Sequence, residues 1–317
     1  MSIPAAYIGV ILIWSTTPLA IKWSGEGPGW LFGVSARMAL GALACLALVV
    51  LLRQRLPFDR GARRTYLAVG LGIFGGMLSV YWAAQFIPSG WISVLFGLNP
   101  MVTAVLAAFW LGERSLTPVK LAGMAAGLAG LAIIFARGAT AGPGAVWGIA
   151  VVCLAVLAHA TSAVWVKRLG SGVPALAQTA GGVSVAALLF VLVALVSGHA
   201  WPTALPRRAL LSIAYLALMG SVVGFICYYY VLKHVEAAKV ALVTLITPVL
   251  ALFLGAGLNG EPVGPEVLAG TGLILAGLAL HQWGGLAARR SRRLLRRAEA
   301  RMIEANETAV KETDRLS

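Results

Sequence analysis

The chain has 317 residues, of which 60% are hydrophobic and only 11% are charged. Its apolar runs are longer than the helices of a soluble core require, so the composition indicates a protein of the lipid bilayer and excludes a soluble globular domain. The net charge of +14 would suit nucleic acid, but the positive residues cluster in the loops on one side of the apolar runs. No nucleic-acid partner is therefore expected.

Ten apolar runs follow one another along the chain, at residues 3–22, 31–52, 66–87, 90–111, 119–136, 145–167, 174–197, 207–232, 235–257 and 265–284. Each is close to the ~20 residues with which a helix crosses ~30 Å of hydrocarbon. Strands are excluded because a lone strand leaves backbone groups unpaired in lipid. The first run lacks the flanks of a signal peptide, so it is predicted to be a mature helix.

Basic residues give the predicted orientation of the spans. If the N-terminus is cytoplasmic, the inner loops carry eleven Lys or Arg residues and the outer loops four. The positive-inside rule therefore favours a multi-pass protein of a bacterial-type inner membrane with both termini in the cytoplasm.

An internal repeat divides the chain. Pro100, eleven residues and Gly112-Glu113 recur 148 residues later as Pro248, eleven residues and Gly260-Glu261, and a 145-residue offset aligns Lys22 with Lys167. Each half holds five spans, and an odd number makes the second half enter the membrane from the opposite side. Inverted repeats of this kind are typical of transporters that hold their substrate near the midplane. The predicted units are 1–140, 141–285 and a basic cytoplasmic tail at 286–317.

Candidate cavity residues lie in matching positions of the two halves. Trp14 and Thr17 share one helical face, as do His159 and Ser162, because residues three apart are neighbours on a helix. Four aromatic residues are candidate cavity walls, with ordinary packing as the alternative: Tyr81, Trp82, Tyr229 and Tyr230. Rings with a polar tip suit an amphipathic small molecule.

Pro100 and Pro248 each lie roughly at mid-span and remove a main-chain donor. The sequence predicts helix breaks that line a cavity, with Asn99 and Thr247 as adjacent polar groups, or else kinks fitted to neighbouring helices. Glu113 and Glu261 are interpreted as helix-end residues that organise a loop.

Arg37 is the only Arg or Lys well inside a predicted span. It is interpreted either as a counter-charge for a substrate carboxylate or a gate, or as a residue paired with carbonyls or the interface. His159 is the only other strongly titratable residue at depth, either a proton carrier or a neutral group that contacts substrate.

Small residues and the basic tail indicate which partners the protein could contact, namely a second copy of the chain and lipid headgroups. Two glycine faces, predicted to pack within the chain or to form a dimer seam, comprise Gly123, Gly127, Gly130, Gly270, Gly272 and Gly277. A monomer or weak homodimer is expected. The tail is expected either to contact anionic headgroups or to be a disordered anchor.

The chain resembles the EamA family of the drug/metabolite transporter superfamily. The motifs that carry the resemblance are Trp14-Ser-Thr-Thr-Pro-Leu-Ala-Ile-Lys22, Ala36-Arg37, Ile87-Pro88-Ser89-Gly90, Pro100 through Gly112-Glu113-Arg114, Val235-Glu236-Ala237-Ala238, Pro248 and Gly260-Glu261. The resemblance implies ten transmembrane helices in two inverted five-helix repeats, with substrate among the first, third, fourth, sixth, eighth and ninth helices. Family members move amino acids, other small metabolites or amphipathic compounds, often outward. The chain departs from the pattern at Pro262, where the first repeat has Arg114.

Three functions follow from these observations. The first is a secondary active transporter, an exporter of amino acids or other small amphipathic metabolites, driven by a gradient because there is no P-loop. The second is a flippase for lipids or lipid-linked head groups. The third, an intramembrane enzyme, is disfavoured because the sequence carries no catalytic motif and no paired core carboxylates. No catalytic residue, metal or cofactor is expected; substrate, direction and coupling ion stay open.

Overall fold

A computed structural model describes residues 2–113, 116–142, 144–198, 202–224, 227, 231 and 237–283, and these residues form helices and loops without strands. The helices are α1 (Ile3–Ser24), α2 (Trp30–Leu51), α3 (Arg60–Ala83), α4 (Ser89–Phe96), α5 (Asn99–Leu111), α6 (Pro118–Ala141), α7 (Ala145–Leu169), α8 (Ala175–Val196), α9 (Arg207–Tyr215), a π-helical segment (Leu216–Val223), α10 (Ala237–Asn259) and α11 (265–283). Tyr229, Tyr230, Arg114 and the tail at 286–317 lie outside the described residues.

Seven helices of the described chain are long and apolar enough to cross a membrane, if α4 and α5 are taken as one interrupted span. They correspond to the first seven predicted apolar runs. In the other three runs the described residues are also helical, in α9 with the π-helical segment, in α10 and in α11. The prediction of an all-helical membrane protein is confirmed.

Local sequence explains where several helices begin and end. Ser2 accepts a hydrogen bond from the Ala5 amide at the start of α1, and Asp59 caps α3 through two backbone amides. Such caps satisfy donors that have no partner in the first helical turn. Gly112 ends α5 in the left-handed conformation, with φ of 65°, where glycine carries no steric penalty.

Helix packing brings the two halves of the chain together. α3 packs against α7 and α8, α2 packs against α8, and α1 packs against α10 and α4. The largest buried cluster includes Met38, Leu95, Ile149 and Phe190, which belong to four different helices. Residues from both halves therefore share one apolar core.

Glycines permit a close crossing of α6 and α11. A Cβ on Gly123 would lie 2.5 Å from the carbonyl oxygen of Gly277, and one on Gly130 would lie 2.5 Å from that of Gly270. These four glycines therefore pack within the chain, because any side chain would clash with backbone. Gly127 instead faces Met101.

The two mid-span prolines have different effects. The fourth span is interrupted, since α4 ends at Phe96 and α5 begins at Asn99 with Pro100 in its first turn. The predicted second break is absent, because α10 runs continuously through Pro248. α10 stays one helix at Pro248, whereas the fourth span is divided near Pro100. The two repeats therefore differ at this point.

Candidate transport site

Arg37 lies on α2 and is only 4% exposed. Its Nη1 atom lies 3.8 Å from the sulfur of Met77 on α3, and its Nε atom has no hydrogen-bond partner. No carboxylate of the described residues forms an ion pair with it. Thioether sulfur is a weak acceptor, so the structure surrounds a permanent charge with little compensation.

Thr17 and Trp14 of α1 both approach the segment that begins at Leu216, and Thr17 does so at the same glycine as Arg37. A Cβ on Gly220 would lie 3.4 Å from Nη2 of Arg37 and 3.8 Å from Oγ1 of Thr17, so one glycine of the π-helical segment separates these two polar groups. The indole Nε1 of Trp14 lies 3.3 Å from the position that a Cβ would take on Gly224. The hydroxyl of Thr17 donates to the carbonyl of Ile13 at 2.7 Å. Its oxygen remains able to accept a hydrogen bond.

His159 and Ser162 of α7 face α3. The His159 ring lies against Gly76, the residue before Met77, and meets Phe96 edge-on with centroids 5.8 Å apart. Ser162 donates to the carbonyl of Ala68 at 2.9 Å. His159 therefore lies close to the break in the fourth span, whereas Ser162 is occupied by a helix contact.

The remaining predicted residues are more dispersed. Asn99, at the start of α5, has a buried Oδ1 without a partner, and Thr247 is buried on α10. Tyr81 is 1% exposed within the main core. The Trp82 ring packs against Phe86 in a tilted arrangement, with centroids 4.6 Å apart. Thr17 and Arg37 thus approach Gly220, whereas His159 meets Phe96 at the break in the fourth span and Asn99 follows that break. We refer to Trp14, Thr17, Arg37, Asn99 and His159 as the central group.

Sequence reasoning missed three features of this region. Thr16, which is not among the candidate residues, shares a 2.6 Å hydrogen bond with the hydroxyl of Tyr215 on α9. Met77 and the π-helical segment were not singled out. The π conformation has no signal in an apolar run, although Gly220 marks its closest approach to Arg37. Such segments are frequent at functional sites.

An ion pair with a buried carboxylate lies at one end of the bundle. Lys22, in the last turn of α1, lies 3.3 Å from Glu261, which follows α10. The carboxylate also accepts from the amide and the hydroxyl of Ser89, both at 2.8 Å, and from Nδ2 of Asn259 at 3.0 Å. We call the Lys22–Glu261 pair the Lys22 bridge and this side the Lys22 end.

The electrostatics of Glu261 reflect these contacts. Burial by itself raises the pKa of the carboxyl group, but the bonds from Ser89, the charge of Lys22 and the Asn259 amide together lower it below its usual value of 4.5. Neighbouring groups add contacts at this end. The Trp23 indole donates to Oδ1 of Asn259 at 2.9 Å, and the Arg208 guanidinium lies over the Trp23 ring, 4.1 Å from its centroid. The carboxylate is therefore held ionised at neutral pH.

A second ion pair occupies the opposite end. Lys167, in the last turn of α7, pairs with Glu113, which follows α5. Ser89 begins and Leu111 ends the 23-residue span of α4 and α5, so the two pairs lie at opposite ends of one span. We call this pair the Lys167 bridge. Its side chains are 62% and 36% exposed, against 30% and 5% for Lys22 and Glu261.

The two bridges relate equivalent positions of the repeat. Lys22 aligns with Lys167, and Glu113 aligns with Glu261, yet each lysine binds the glutamate of the other half. The C-terminal ends of α1 and α7 are at opposite ends of the bundle, so these helices run in opposite directions. Sequence alignment gave the positions but not this exchange of partners.

A small cavity of about 170 Å³ also lies at the Lys22 end. It contains none of the predicted cavity residues and is lined by Phe86, Pro88, Trp91, Arg137, Pro262, Gly264 and Val267. The cavity therefore lies next to the Lys22 bridge, since Pro88 and Pro262 adjoin Ser89 and Glu261, and it does not include the central group.

Comparison with known proteins places the chain in a family. The model of the EamA-like transporter family matches residues 2–136 and again residues 146–281. The chain belongs to this family. It is therefore a multi-pass membrane transporter, as the sequence motifs predicted.

Relatives of this EamA-like chain are similar along most of their length. A protein of Streptantibioticus cattleyicolor named "Probable terminal-alkyne amino-acid exporter" is 28% identical over 279 residues, covering 87% of this chain and 91% of that protein. An uncharacterised inner membrane transporter of Escherichia coli strain K12 is 27% identical, covering 87% and 89%. A solved crystal structure with 22% identity superposes with a TM-score of 0.62, covering 89% of this chain and 97% of the other. This last likeness concerns the fold alone.

Proposed function

We propose that this EamA-like protein is a secondary transporter of the inner membrane that exports amino acids or other small amphipathic metabolites by alternating access between two inverted repeats, with both termini in the cytoplasm. The observation that carries the proposal is the pair of matched Glu–Lys bridges at opposite ends of the bundle. Each bridge ties the first helix of one repeat to the Gly-Glu motif of the other.

Matched bridges are suited to a cycle with two closed ends. When one end closes, its lysine–glutamate pair is buried; when that end opens, the pair is exposed to water. In this conformation the Lys22 bridge is the buried one and the Lys167 bridge is the exposed one. The described state therefore corresponds to closure at the Lys22 end, which is the outer end if the termini are cytoplasmic.

The central group supports a small amphipathic cargo. Trp14, Phe96 and His159 provide ring surfaces, while Thr17 and Asn99 provide polar atoms close to them. Aromatic walls with a few convergent polar groups are the usual composition of small-molecule sites. The name of the S. cattleyicolor relative supports amino acids as the first compounds to test.

Access to the centre tests the alternating cycle directly. A single cysteine at Thr17, with Cys45, Cys153 and Cys227 replaced by alanine, would be labelled with a membrane-impermeant maleimide from either side of the membrane. We expect Glu261→Gln to raise labelling from the Lys22 end, and Glu113→Gln to raise labelling from the Lys167 end. Equal effects of both variants on both sides would contradict the proposed gates.

Transport itself is tested in proteoliposomes. Uptake of radiolabelled amino acids and amphipathic cations should saturate for at least one class and be lost in Trp14→Ala. A matched control is Trp147→Ala, because Trp147 is exposed at the start of α7, away from the central group. Lipid scrambling without uptake of any soluble compound would instead establish the flippase.

A further inference from the structure

The Arg37 guanidinium stands out among the buried groups because it carries a charge that nothing in the described chain neutralises. We propose that Arg37 binds the carboxylate of the transported molecule, so that the substrate class is anionic or zwitterionic carboxylates. This inference rests on the proposed transport function and adds the chemical class of its cargo.

Comparison with Lys22 shows what is missing at Arg37. Lys22 is only partly buried and has the Glu261 carboxylate 3.3 Å away. Arg37 is more deeply buried, yet its contacts are a thioether sulfur at 3.8 Å and a glycine. Arginine cannot lose its proton in a protein, so burial cannot be relieved by neutralisation. An anion is the partner that would compensate this charge most fully.

The geometry favours a carboxylate as that anion. A guanidinium presents parallel N–H donors that match the two oxygens of a carboxylate, and Nε is one of the donors left without a partner. Gly220 places no side chain against Nη2, where a Cβ would lie only 3.4 Å away. A bound carboxylate would thereby gain two charge-assisted hydrogen bonds.

Thr17 extends the same site toward amino acids. Its hydroxyl hydrogen is directed to the carbonyl of Ile13, so its oxygen can still accept a hydrogen bond, and both Thr17 and Arg37 approach Gly220. An oxygen acceptor beside a guanidinium donor matches the ammonium and carboxylate of a zwitterion. Trp14, one helical turn away on α1, would then contact the side chain of the cargo.

Matched compounds test the assignment in proteoliposomes that contain the full chain. Leucine and phenylalanine would each be presented as the free acid, the amide and the decarboxylated amine. Wild type should prefer the acids by at least about 10-fold, as a charge-assisted pair implies. Arg37→Gln should bring acid and amide to within about 2-fold of each other. Arg64→Gln, which removes an exposed arginine of α3, should keep the wild-type preference.

Two results would overturn the proposal. One is wild-type uptake of amide and amine equal to that of the acid; the other is an equal loss of all three compounds in Arg37→Gln. If wild type transports none of these compounds, the proposal that the protein transports amino acids is wrong. The role of Arg37 is then tested separately by thermal melting. Arg37→Met should melt no lower than wild type and should lose any stabilisation by leucine. A markedly lower melting point would make Arg37 a structural residue.

Discussion

Replacement of Glu261 by glutamine should weaken closure at the Lys22 end without changing side-chain size. The substitution removes the charge that holds Lys22 and turns one acceptor atom into a donor facing Asn259 or Lys22. Hydrogen bonds to a charged acceptor contribute about 1.5–3 kcal/mol each, and the contribution of Lys22 is reduced because it is partly exposed to solvent. We therefore expect a loss of about 2–4 kcal/mol in unfolding free energy at pH 7, measured by denaturant titration in detergent.

The pH dependence of this loss provides an internal check. The folded-state pKa of Glu261 is lowered, so its ionised form contributes stability that is fully present above 4.5 and is lost as the pH falls through the lowered value. Wild type and Glu261→Gln should therefore converge in strongly acidic buffer. Glu113→Gln is the control: its exposed pair should contribute at most about 1 kcal/mol. Equal stability of wild type and Glu261→Gln at pH 7 would refute the reasoning.

Three further predictions concern packing and chemistry. Gly123→Ala should lower the melting temperature because its Cβ meets a backbone carbonyl 2.5 Å away, whereas Gly272→Ala, which faces open space, should not. Tyr215→Phe should cost about 1 kcal/mol in unfolding free energy through loss of the bond to Thr16, and the double variant with Thr16→Val should cost little more. His159→Gln should slow transport but leave its pH profile unchanged, because the ring packs on Phe96; a shifted profile would make His159 a proton carrier.

The helical spans were predictable because the bilayer imposes their length and polarity. The run at 31–52 became α2 at Trp30–Leu51, and the run at 145–167 became α7 at Ala145–Leu169. The break near Pro100 was also predictable from the missing donor. The continuity of α10 was not, since a proline that interrupts one helix only bends another when neighbouring helices support it.

The contacts of the candidate residues could not be predicted from the sequence. Thr17 was a candidate from its helical face and Arg37 from its depth, but their approach to Gly220 depends on the π-helical segment, whose residues are as apolar as those of an ordinary span. The glutamates were interpreted as helix-end residues that organise a loop, and their partners could not be predicted because they lie far away in the sequence. Lys22 and Glu261 are joined only after the two halves pack.

The two bridges also set a condition on the energetics of the proposed cycle. Opening the Lys22 end would expose Lys22 and Glu261 to water, and their renewed hydration would offset much of the attraction that is lost. Any cost that remains lowers the population of the alternate state unless another contact forms in the same step. The Lys167 bridge is the matching pair at the other end, with the same residue types at equivalent repeat positions. Its burial would offset the exposure of the Lys22 bridge, so the two conformations remain within reach of each other. The energy of a bound carboxylate on Arg37 can then decide between them.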